Sequence, residues 1–265
     1  LNKPEVSIKI WKKLYFAYQI MLGLLCIVAV VASVCVRIYP TTYIIKLLIF
    51  YTVLFGVFAA SVAILGICHN RPKLLYPLLF VVTVILIWMV VARKEPDIDG
   101  LRKIYIVRLE AHEGIKYASG RETDQGVDDI GLAKSSLWQS MMVEGLRELN
   151  PRLLGIMSLD FWFADLNNRD LQNGRLGYTR VIDRPKTLVG YSSFLLNCGD
   201  MAITSDAKYL IIYLGEGKWI MSDKKSGIVR IIRTITGKSL PVEFSKQLVI
   251  VRWWLLDTET SRRNI

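Results

Sequence analysis

Glu110, His112 and Glu113, followed a short way on by Asp124, Asp128 and Asp129, form the densest group of chemically competent side chains in this 265-residue sequence. Carboxylates and an imidazole brought together can move protons or ligate a cation. Their spacing matches neither the His-Glu-X-X-His of zinc helices nor the alternating carboxylates and terminal Glu of a calcium loop. No metal and no cofactor are therefore expected. Asp128 and Asp129 read first as a helix start, where exposed amides and the macrodipole favour negative charge. Any catalysis is expected to rest on these six residues.

Other motifs add little chemistry. Cys68 and His69 are adjacent, but neighbours on a helix point in different directions and no second ligand pair accompanies them. Ser192, Ser193 and Ser205 lack the Gly-X-Ser-X-Gly turn of a nucleophile elbow. The segment Gly215-Glu216-Gly217-Lys218 is too short to cradle a phosphate and reads as a hairpin turn. The pair Trp253-Trp254 falls in a predicted strand, which sends the two rings to opposite faces, one into the core and one outward.

The elements that must position these groups follow Glu95, where the sequence Glu-Pro-Asp-Ile-Asp marks a domain boundary. A strand is predicted at 103–109 from its Ile, Tyr and Val residues, then a polar segment, then a helix from Asp128 or Asp129 to Leu149. That helix would carry Leu137, Trp138, Met141, Met142, Gly145 and Leu146 along one side. Residues 153–166 fit helix or strand, and 167–184 read as a loop. From 188 onward, apolar runs at 191–196, 209–214, 218–222, 227–235 and 247–256 are separated by Gly- and Asp-containing turns, the pattern of an antiparallel β-meander. The expected fold is a mixed α+β domain over 96–265, helical in its first half and sheet in its second.

Before that boundary the texture is different. Between Glu5 and Glu95 there is no acidic residue, and uncharged runs at 14–36, 47–70 and 74–92 each approach the roughly 20 residues that cross a bilayer. Residues 1–95 accordingly read as a three-helix up-down-up transmembrane bundle. Gly23, Cys26, Ala29 and Ser33 on the first helix, and Thr52, Gly56, Ala59, Ala60, Ala63 and Gly66 on the second, recur at helical spacing and would let the helices approach closely.

Net charge supports a partner assignment. Of the formal +11, +8 lies in residues 1–93 and +3 in 94–265, a distribution suited to anionic headgroups and not to a nucleic-acid surface on the later domain. Cys198 is the one cysteine after residue 95, and that part has no Asn-X-Ser/Thr sequon. An organellar or bacterial inner membrane is thus favoured over an animal plasma membrane. Together these features predict a multi-pass, non-enzymatic accessory subunit of a larger membrane complex, in contact with other subunits. The alternatives are an oligomeric transporter or channel, and a membrane-tethered enzyme acting on a lipid or membrane-delivered substrate.

Overall fold

The computed structural model describes residues 95–123, 125–174, 177–188, 191, 195–233, 242–245 and 247–257, with a few isolated positions earlier in the chain. Two compact units are present, 1–91 and 92–265, and every element named here belongs to the second. The three expected spans and nearly all of their small-residue positions lie outside the described residues; Thr52 and Gly56 are described only as helical. Among the described residues no helix is long and apolar enough to cross a membrane. This corrects the transmembrane reading of the fold. With it fall the accessory-subunit, channel and membrane-tethered-enzyme assignments and the placement in an organellar or bacterial inner membrane.

Helix α1 spans Ile98–Glu110, where a strand is predicted at 103–109. The Asp97 carboxylate caps it, accepting the Asp99 and Gly100 amides at 3.1 Å each. Leu101, Tyr105 and Leu109 then recur every four residues and are fully buried. That period decides the matter over the β-branched content of Ile104, Ile106 and Val107. A short ladder, β1 (Glu122–Thr123) with β2 (Gly126–Val127), leads into helix α2, Asp129–Arg147. Its buried face includes Leu132, Leu137, Met141 and Gly145, whereas Leu146 points outward, 61 % exposed. The segment after it is helical, with a π turn at Leu153–Met157 and α3 at Ser158–Phe163. The predicted loop at 167–184 instead holds α4, Asn168–Gln172, with a capping box from Asn167 and Asp170, and strand β3, Thr179–Asp183.

Strands β4 (Met201–Thr204), β5 (Leu210–Gly215), β6 (Lys218–Asp223), β7 (Ile228–Arg233) and β8 (Leu248–Trp253) complete an antiparallel sheet of order β3-β8-β4-β5-β6-β7. The simple meander is corrected in one respect: β8 does not follow β7 at the edge but enters between β3 and β4. Residues 191, 195 and 196, expected in a strand, belong to none. Helices α1 and α2 cover one face of the sheet through Met201, Ile203, Ile212, Val249 and Val251. Leu188, Phe244 and the alternate strand residues Ala202, Ile211, Tyr213, Trp219 and Ile250 fill the other. Both faces being buried, the central strands carry near-continuous apolar runs. The free side of β7 is partly covered, because Lys116 pairs with Ile228 and the Gly114 and Tyr117 amides reach Val229 and Gly227 carbonyls.

Inserting β8 sets Arg252 directly opposite Arg180 of β3. Like charges in cross-strand register repel. Two buried carboxylates offset this: Asp200 takes Arg252 in a bidentate grip at 2.6 and 2.8 Å, and Asp257 lies 3.0 Å from Arg180 and 3.8 Å from Arg252. Asn197, with its oxygen toward the guanidinium, accepts from Arg252 at 3.0 and 3.1 Å. Removing one member of such a buried set strands the other charges. Asp200→Ala in the full chain should therefore cost about 3–5 kcal/mol in urea unfolding followed by tryptophan fluorescence. A loss within the scatter of exposed-site variants would show that the network does not hold the sheet.

Candidate functional site

Among the described residues, two places concentrate polar chemistry or open space. The first is the start of α2. Asp128 caps the helix, its Oδ1 accepting the Gly131 amide and its Oδ2 the Gly120 amide, both at 2.7 Å. Position 131 must be glycine, since a Cβ there would sit 2.1 Å from the Arg121 carbonyl oxygen. Burial raises the Asp128 pKa, only partly countered by the amides of Gly131 and Gly120, and the charge of Glu122 adds to the rise. Asp129 is pushed well above the ordinary carboxylate range, chiefly by burial and then by Asp128 beside it. The Leu210 amide, which hydrogen-bonds it, pulls the other way, and Asp223 adds a smaller upward push. Its Oδ1 is buried without a hydrogen-bond partner. Tyr117 also has a raised pKa, from burial first, opposed by a Ser119 hydrogen bond and reinforced by both aspartates. Asp223 is different: burial pushes it up, but the Lys225 amide, Ser226 and Arg230 at 2.9 Å outweigh that and bring it below its usual value.

The remaining predicted side chains do not join this group. His112 ends α1, buried, with Nδ1 2.6 Å from the Arg108 carbonyl oxygen, while Glu110 and Glu113 are exposed. No hydrogen bond or ion pair links Glu110, His112 or Glu113 to Asp128 or Asp129 among the described residues, and Asp124 lies outside them. The five described residues are thus split between the end of α1 and the start of α2. Among the described residues no three His, Cys, Asp or Glu groups gather to hold a metal ion.

The second place is a cleft of about 340 Å³, its open mouth included, lined by Leu137 and Met141 of α2, Met157, Asp160, Phe161, Tyr178, and the run Trp253, Trp254 and Leu255. Phe161 anchors the aromatic wall, edge-to-face with Trp253 at 5.3 Å and with Tyr178 at 5.6 Å between centroids. Behind it the Trp253 indole N–H donates to the buried Tyr105 hydroxyl at 3.1 Å, tying the wall to α1. Both tryptophans line the same cleft, which corrects the expectation that they face opposite ways. The physical reason is local: β8 stops at Trp253 and a 3₁₀ turn, Trp254–Leu256, begins at once, so the two-residue alternation of a strand no longer applies. The Trp254 amide donates to the Tyr178 carbonyl at 3.0 Å, fixing the rim. On that rim the Tyr178 hydroxyl donates to Asp160 Oδ2 at 2.7 Å. Burial, followed by the Asp160 hydrogen bond and charge, pushes the Tyr178 phenol up to about 12, so it stays a neutral donor. The cleft residues are spread over more than a hundred positions of sequence, and only the Trp253-Trp254 pair signals them locally.

No protein-family model matches the sequence, and no curated protein matches it. Among solved structures the chain is similar to the peptidoglycan hydrolase RipB from Mycobacterium tuberculosis, at 12 % identity and a TM-score of 0.34, over 57 % of this chain and 65 % of that one. The chain therefore spans just under two thirds of that structure's length, and a likeness at this level carries nothing over to its function.

The carboxyl at 129 has a definite consequence for stability. Because its native pKa lies above the unfolded one, the folded state holds its proton longer, and stability falls as pH rises from the unfolded pKa, about 3.9, toward the native value. Asp129→Asn keeps the shape and removes the ionisation. The melting temperature of the full chain should rise by a few degrees at pH 7, with the gain shrinking to nothing near pH 4. A gain equal at both pH values would mean that ionisation at 129 is not the cause.

Proposed function

We propose that residues 95–257 form a ligand-binding domain whose site is the aromatic cleft between α2, α3 and the turn after β8. The observation that carries this reading is the lining itself. Eight of the nine residues are apolar or aromatic, and the polar groups on the rim, Asp160 and the Tyr178 hydroxyl, are already paired with each other. Small-molecule sites have this composition, an apolar and aromatic lining with a few convergent polar groups that fix orientation. The rim is held before any ligand arrives, by the Trp254 to Tyr178 backbone bond and the Tyr178 to Asp160 hydrogen bond. A preformed site spends little binding energy on ordering. Proton-transfer chemistry has less support, because His112 and the aspartates at the start of α2 share no hydrogen bond that would bring acid and base onto one substrate.

The test uses the methionines. In full-length protein carrying ¹³C-methyl methionine, millimolar 3,3-dimethylbutanol, an uncharged branched probe, should shift the Met141 and Met157 methyls ahead of the other five. Met157→Trp, which fills the cleft from a half-buried position, should weaken that binding at least tenfold while leaving cooperative unfolding intact. Equal shifts at Met201 and Met221, which lie in the sheet, would remove the cleft as the site.

A further inference from the structure

The charge balance of the cleft points to a class of ligand, an inference that rests on the cleft being a binding site at all. Its lining contains one ionisable acid, Asp160, and no Lys, Arg or His. Among the described residues no ion pair or further hydrogen bond engages the Asp160 carboxylate beyond the Tyr178 hydroxyl, and the residue is exposed at the rim. The other eight residues include four aromatic rings, whose faces attract cations through the ring quadrupole. An anionic ligand would meet a carboxylate and, among the lining side chains, no cationic donor, only the neutral Trp254 indole and a phenol that is already committed. A neutral ligand would leave that carboxylate unused. A primary ammonium carries three N–H donors, and the lining side chains offer them only one carboxylate and one phenol oxygen as acceptors. A fully methylated ammonium has no N–H to satisfy and presents a charge spread over apolar methyl groups, which suits an aromatic wall with one anionic edge.

We propose that the cleft binds a small molecule bearing a quaternary ammonium head, with the head against Trp253, Trp254 and Phe161 and its charge balanced by Asp160. Trp254 is the ring best placed to meet the ligand, because it is only partly buried at the rim while Trp253 and Phe161 form the floor. The Tyr178 hydroxyl acts as a positioning group: by donating to Oδ2 it orients the carboxylate and leaves Oδ1 toward the ligand.

Choline and 3,3-dimethylbutanol differ only in replacing the quaternary nitrogen by carbon, so their comparison in the full chain, by methionine-methyl shifts or calorimetry, isolates the charge. Choline should bind at least tenfold more tightly than the alcohol and than ethanolamine, its unmethylated counterpart. Asp160→Asn should remove that preference over the alcohol, and Trp254→Leu should weaken choline at least fivefold. If choline and the alcohol bind equally, the quaternary-ammonium inference fails and the cleft survives as an apolar site. Ethanolamine binding as well as choline would likewise overturn the methylated class. If neither choline nor the alcohol binds, the cleft is not a ligand site and both readings fall together.

Discussion

Two arginines facing each other across adjacent strands set the terms for the rest of this domain. Arg180, partly exposed, and Arg252, buried, are register partners in β3 and β8, and the sheet holds that pair together with carboxylates that separate it electrically. Asp200 comes from the start of β4, on the far side of β8, and Asp257 from beyond the closing turn. The strand carrying Arg252 is thus satisfied in one slot, between β3 and β4. The same demand holds Asp257 in place, with no solvent exposure, and so fixes the turn through Trp254 and Leu255 that builds one wall of the cleft.

A second balance of opposing effects operates at the start of α2. The helix N-terminus and its amides favour ionised carboxylates there, yet at Asp128 and Asp129 burial is the larger influence and both are shifted upward. Asp223 is also pushed up by burial, but local donors and Arg230 reverse the sign. Glu144, fully buried in α2, has one oxygen held by Arg147 at 2.7 Å and the other without a hydrogen-bond partner. Such groups store a cost that close packing elsewhere must offset. Lys134, 2 % exposed, is treated more generously, with the Trp162 and Ala164 carbonyls and Glu122 around its ammonium.

Sequence logic reached the parts of this fold that are governed locally. The start of α2 follows from Asp128 as a cap, and β5 to β8 follow from β-branched runs bounded by Gly and Asp turns. Helix α1 was misread because its Ile and Val content outweighed the quieter recurrence of Leu101, Tyr105 and Leu109. Strands β3 and β4 are five and four residues long, too short for a periodic signal. The slot taken by β8 depends on partners some fifty to seventy residues away. The apolar runs before residue 95 suggest a membrane by their length and hydropathy alone, and nearly all of them lie outside the described residues. Glu110, His112 and Glu113 lie near Asp128 and Asp129 along the sequence but share no hydrogen bond with them, while the residues lining the cleft are gathered only in space.

The placement of β8 also orders events in time. A nascent chain synthesised through β7 has its β4-to-β7 ladder available but an open seam between β3 and β4, with the unpaired edges of both strands exposed. Only the next stretch, ending at Trp253, can close it. Until then Asp200 lacks Arg252, Arg180 lacks the Asp257 that follows it, and the apolar edges invite pairing with other chains. For this domain the hazardous interval of biosynthesis is therefore a narrow one, set by how quickly the ribosome delivers a single late strand.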